Sequence, residues 1–185
     1  MRGFILGVFF TLVCIVGGSY LLLRSGKVSL ATTSEPLPGE QTLARMALET
    51  SIGKAKDQVD PLPRNDDNML AGVKVYKGHC IFCHGAPGQL RSPISTMMMP
   101  HPPQLFTKDD MVIDDPEGTT FWKVTNGIRL SGMPGFGDHL SENERWQVAM
   151  LLAHADKLPA AAQAEFARKN AGETMHADHQ HEHEH

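Results

Sequence analysis

Cys80-Ile81-Phe82-Cys83-His84 constrains this chain more than any other stretch. Two thiols on one short turn, with an imidazole directly after the second, are what covalent haem attachment needs. Each thiol can form a thioether with one haem vinyl group, and the short spacer sets the thiols at the separation of the two vinyls. His84 is then carried under the iron as an axial ligand. A chain that carries such a motif must wrap a large, flat, apolar cofactor. A CxxC pair can also be a redox dithiol or half of a zinc site. Zinc would want a second ligand pair, and the only other cysteine is Cys14, inside an apolar run. A redox dithiol would want a βαβ setting, whereas the pattern around Cys80 is helical.

A length of 185 residues allows one ordinary domain plus appendages, and 41% apolar residues permit a real core. Aromatics are sparse, at 6%, so the cofactor supplies core volume that the side chains do not. A net charge of −4 and the absence of a basic patch argue against nucleic acid as a partner.

Phe4 to Leu23 is an uncharged run of twenty residues, long enough to span the hydrocarbon of a bilayer. A cleaved signal peptide is the rival reading. Against it, Tyr20-Leu21-Leu22-Leu23 continues the apolar run past Gly17-Gly18-Ser19, and no small-residue cleavage site precedes a polar start. Val13 is too bulky for a lipoprotein site at Cys14, which reads as an inert thiol. The flanking charges, Arg2 against Arg24 and Lys27, do not decide orientation.

The expected organisation is an anchor over 1–24, a flexible linker with a short helix over 25–65, a haem domain over 66–159, a C-terminal helix over 160–172 and a His-rich tail over 173–185. The linker would reach roughly 30–40 Å as a flexible chain. Asn65 to Asn68 offers caps for a first helix whose face carries Met69, Gly72, Val73 and Tyr76. Asp115-Pro116 announces a middle helix with Phe121, Trp122 and Val124, closed by Gly127. Ser141 and Glu144 make a capping box for a last helix striped by Trp146, Ala149, Met150 and Ala153. Gly72 is costly inside a helix unless a close contact requires it, and Trp146 is large enough to cover that notch.

The sixth iron position separates electron transfer from haem catalysis. Met133, in Gly132-Met133-Pro134-Gly135, is the leading candidate, on a loop just ahead of the capped last helix. Met97-Met98-Met99 competes, but lies nearer the haem cysteines and is expected at the His84 edge. His101 and His139 are nominal alternatives.

In the order of a helix leading into CxxCH, a Met-Pro loop and a tryptophan-bearing terminal helix, residues 68–158 resemble a class I c-type cytochrome. The resemblance falls within the broad group of membrane-anchored bacterial mono-haem cytochromes related to the cytochrome subunits of oxidases. The resemblance implies a mainly α fold around one covalently bound haem c, with an N-terminal transmembrane helix. It also implies a proline carbonyl that accepts the ring N–H of the ligand histidine. Pro103 fits that place, with Pro102 as the alternative, and Leu105 would then pack on the haem. An insertion from Pro87 to Pro100 departs from the shortest members. Trp122, Arg129 and, less favoured, Arg91 are candidates to meet the haem propionates.

The expected function is a membrane-tethered one-electron carrier, not an enzyme, at the bacterial inner membrane with its haem domain in the periplasm. A quinol-oxidising complex, a terminal oxidase or a dehydrogenase would be its redox partner. A haem sensor or enzyme with a labile sixth ligand is the second reading. A third is copper, nickel or zinc binding by the five histidines of the last ten residues. The acidic stretch Asp109 to Asp115 reads as a solvated loop.

Overall fold

A computed structural model describes residues 1–168. The His-rich tail and the end of the expected helix over 160–172 lie outside the described residues. The chain divides into two compact units, Met1–Leu37 and Pro38 onward.

In the first unit, α1 covers Arg2–Arg24 and buries none of its residues. Its 23 residues rise about 35 Å, which exceeds the roughly 30 Å of a bilayer's hydrocarbon. By length and composition it is the one helix among the described residues able to cross a membrane.

The second unit contains α2 (Glu40–Ile52), a 3₁₀ turn (Gly53–Asp57), α3 (Asp66–His79), α4 (Ile81–His84), α5 (Pro93–Met97), α6 (Glu117–Asn126), α7 (Glu142–Ala153) and α8 (Ala160–Ala167). The described residues form no β-strand. One isolated bridge pairs Ile128 with Met133.

Helix α3 starts where Asn65 accepts a 2.9 Å hydrogen bond from the Asn68 N–H, and Asp66 and Asp67 complement the positive end of the helix. Its buried face is the expected one: Met69, Gly72, Val73 and Tyr76. The capping box also forms. The Ser141 N–H donates to Glu144 Oε2 at 2.8 Å, and the Glu144 N–H donates to Ser141 Oγ at 3.3 Å. Helix α7 buries Trp146, Val148, Ala149, Met150, Leu151 and Leu152. That is broader than a single stripe because α3 and α6 both pack on it.

Gly72 is where α3 and α7 touch. A Cβ there would strike the backbone carbonyl of Gln147, so the two main chains meet directly. Trp146 does not cover this notch, as the sequence suggested. It stacks on Phe121 of α6, with ring centroids 4.0 Å apart and planes at 11°. The reason is rotational: adjacent helix residues point about 100° apart, so a Gln147 turned toward α3 leaves Trp146 facing α6.

Two pieces outside the expected haem domain pack on it. Tyr76, Phe106 and Phe166 form mutual edge-to-face pairs that seat α8 on α3. There Lys77 Nζ donates to the carbonyls of Glu165 and Arg168 at 2.7 and 2.8 Å. In the segment expected as a tether, Ile52 is buried and the 3₁₀ turn lies against α6. Gly118 allows that approach, since a Cβ on it would meet the carbonyls of Ala55, Lys56 and Gln58. The stretch between α1 and α2 without helix is therefore only 25–39.

Candidate functional site

Cys80 caps α3, with its N–H bonded to the Tyr76 carbonyl at 2.8 Å. The chain then makes the single turn of α4. Cys83 N–H and His84 N–H both donate to the Cys80 carbonyl, at 3.1 and 2.9 Å. This turn holds both thiols, each free, beside the imidazole. Gly85 leaves the turn at φ +69°, and its carbonyl accepts the hydroxyl of fully buried Tyr76 at 2.8 Å. Burial pushes the Tyr76 pKa far up, so the hydroxyl remains a donor.

Burial, reinforced by Cys83, pushes the Cys80 thiol up to about 12. A thiol of that kind is protonated at neutral pH, the opposite of the depressed pKa of an exchanging dithiol.

His84 Nδ1 lies 2.9 Å from the Pro103 carbonyl. A ring that donates from Nδ1 keeps the Nε2 lone pair for a metal and has its plane held. Burial lowers the His84 pKa and the Pro103 bond opposes that, so the ring is neutral at pH 7. Pro102, the alternative, is engaged elsewhere: its carbonyl accepts Arg91 Nη1 at 2.6 Å. The Asp110 carboxylate takes the Gln104 N–H at 2.8 Å and sits 3.5 Å from Arg91 Nη2. The segment bearing the Pro103 carbonyl is thus pinned on either side.

Met133 sits on a loop tied to the end of α6. Phe136 and Gly137 N–H donate to the Val124 and Thr125 carbonyls at 2.9 and 3.0 Å. Ile128 N–H donates to the Met133 carbonyl at 3.1 Å, and Ser131 Oγ accepts the Met133 N–H at 3.2 Å. Gly127, at φ +68°, gives this loop room, because a Cβ on it would meet Met133, Pro134 and Gly135 backbone. The Met133 side chain packs against the core.

The structure thus brings Cys80, Cys83, His84 and Pro103 together and buries Leu105 in the adjoining core. Trp122 is half-buried on α6 and Arg129 is exposed; neither joins the bonds that hold this cluster. His101 turns Nδ1 to the Ser95 carbonyl at 3.2 Å, and His139 is exposed. Of the methionine triplet, Met98 reaches the Met133 loop, where its methyl lies against Gly132.

Sequence reasoning missed Tyr76 as the anchor of Gly85, and Asp110 as the anchor of the Pro103 segment. The acidic stretch is more than a solvated loop, since Asp110 is used there and Asp115 pairs with Lys123 at 3.1 Å. No local pattern marks Asp110 apart from its acidic neighbours. Among the described residues no cluster of His, Cys, Asp and Glu could hold a metal ion by itself.

The residues present fit a c-type haem. Two free thiols share one turn, and the histidine behind them is held through Nδ1, which leaves Nε2 for the iron. The helical fold and the family match below fit a class I c-type cytochrome domain, which implies a haem c cofactor and supports a role in electron transfer. Residues 67–152 match the family described as cytochrome c oxidase, cbb3-type, subunit III, so the domain is related to oxidase subunits. No curated protein matches the chain.

Proposed function

We propose that this protein is a membrane-tethered one-electron carrier with a single haem held covalently by Cys80 and Cys83. Bound haem supplies a one-electron Fe(III)/Fe(II) couple. His84 Nε2 and the Met133 thioether are the two groups that would hold the haem iron. Pro103 fixes the imidazole plane and raises its basicity through Nδ1. Leu105 and the core beside it exclude water from the cofactor. An iron held by His84 and Met133 together would leave no site for oxygen or peroxide, which favours electron transfer. The observation that carries this reading is the 2.9 Å contact between His84 Nδ1 and the Pro103 carbonyl, on the turn that bears both thiols.

Helix α1 is the tether, a single span of a bacterial inner membrane with the haem domain on the periplasmic side. The fifteen non-helical residues over 25–39 reach about 20 Å as a flexible chain, which keeps the haem at high effective concentration near membrane complexes. The family description favours a terminal oxidase as redox partner. A quinol-oxidising complex or a dehydrogenase would be the donor.

The test is optical and mass spectrometry on the purified full-length chain. The intact protein is expected to carry one covalent haem mass and a far-red methionine-to-iron charge-transfer band when ferric. Met133→Ala should lose the band and bind carbon monoxide when reduced. A chain without haem mass, or a band that survives Met133→Ala, refutes the reading.

A further inference from the structure

The insertion between the haem cysteines and Pro103 has a definite place in the fold. At one end, the Ser92 hydroxyl donates to the Phe82 carbonyl at 2.8 Å, inside the CxxCH turn. The same hydroxyl accepts the Ser95 N–H and caps α5. Ser95 is fully buried and its own hydroxyl donates back to the Ser92 carbonyl at 2.9 Å, so this end is rigid. At the other end, the chain leaving α5 places the Met98 methyl against Gly132, within 2.7 Å of where a Cβ would stand. Gly132 has φ +80°, and it directly precedes Met133. The short helix therefore joins the segment that carries His84 to the loop that carries Met133.

We infer that Met98 is a positioning residue for Met133: α5 acts as a strap between the two ligand-bearing segments, and the Met98 methyl holds the Met133 loop closed. The inference rests on the reading of Met133 as the sixth ligand. The loop's own bonds leave Gly132 itself unanchored. Ser131 Oγ donates to the Ile128 carbonyl at 2.7 Å and Ile128 N–H bonds the Met133 carbonyl, so the loop closes upon itself around Gly132. Met98 bears on Gly132 from outside. A thioether side chain suits the task, because its unbranched stem adapts to the irregular surface of a loop. Removing it takes contact from the closed loop and nothing from the open one, so the loop opens more often while Met133 remains the preferred ligand.

The experiment mixes carbon monoxide with the reduced full-length protein in detergent, where binding must wait for Met133 to leave. Met98→Ala is expected to speed carbon monoxide binding roughly tenfold, and Met98→Leu, of similar volume, to bring the rate back near the parent's. Ser92→Ala, which cuts the other end of the strap, should shift the rate in the same direction by less. The ferric far-red band should persist in all of them, showing that Met133 is still the ligand. A Met98→Ala rate within about twofold of the parent's, with the band intact, overturns the role given to Met98 and leaves the His84–Met133 pair standing. A parent protein with no such band overturns the axial reading, and the strap with it.

Discussion

Helix α3 carries two glycines whose replacement by alanine should act in opposite directions. Gly72 faces α7, and a Cβ there would run into the carbonyl carbon and oxygen of Gln147 with Leu151 Cβ 3.2 Å away. The obstacle is main chain, so no rotamer change relieves it and the two helices must part. Overpacking of this kind costs about 1–3 kcal/mol, and alanine recovers about 1 kcal/mol of helix propensity. Because the collision is with backbone, the upper part of that range applies, for a net loss of about 2 kcal/mol. In a domain of about a hundred residues that lowers the melting temperature by roughly 8–16 °C. Gly78, six residues on, has nothing within 4 Å of its Cβ position. Gly78→Ala should raise stability by about 0.5 kcal/mol, since only the propensity gain acts near a helix end. Circular dichroism melts of the two holoprotein variants and the parent, in the same detergent, make the comparison. If Gly72→Ala melts at or above the parent, or Gly78→Ala falls as far as Gly72→Ala, the direct contact between α3 and α7 main chains is wrong.

Tyr76→Phe leaves the Gly85 carbonyl without its buried donor and should cost about 1–3 kcal/mol in denaturant unfolding, with the haem still attached. Asp110→Ala releases the Gln104 N–H and one side of the Pro103 segment; a loss of about 1–2 kcal/mol is expected, together with a changed low-spin electron paramagnetic resonance signal as the imidazole plane loosens. Hydrogen bonds from the Ser141 hydroxyl and backbone hold the Glu144 pKa below its ordinary value. A depressed carboxylate pKa contributes stability above the unfolded value of about 4.3 and loses it as pH falls through the folded one. The stability gap between the parent and Glu144→Ala should therefore be constant from pH 7 to about 5 and shrink below about 4, as read by melts across that range.

Much of the haem domain was legible because its signals are local. Asn65 and the Ser141–Glu144 box mark helix starts through bonds made within one turn. The face Met69, Gly72, Val73 and Tyr76 follows from helical period alone. Pro103 came from family resemblance, and the structure sets its carbonyl at hydrogen-bond distance from His84 across nineteen positions. Other features depended on partners distant in the chain. Nothing near Asp110 distinguishes it from Asp109, and its use is decided by where Gln104 and Arg91 end up. The methionine triplet was expected at the His84 edge because of its sequence proximity to Cys83, and the contact of the Met98 methyl with Gly132 depends on a loop more than thirty positions away.

By itself the sequence determined the local features: a CxxCH turn, an apolar N-terminal helix, and the capped helices α3 and α7. Each arises from groups within a few residues of one another, whose geometry the chain's own covalent spacing dictates. Only the tertiary structure decided which side of α7 meets Gly72, that the 3₁₀ turn and α8 join the haem domain, and that Met98 bears on Gly132. Those outcomes depend on how rigid helices rotate and seat to bury the most apolar surface together, a choice made between segments and never within one.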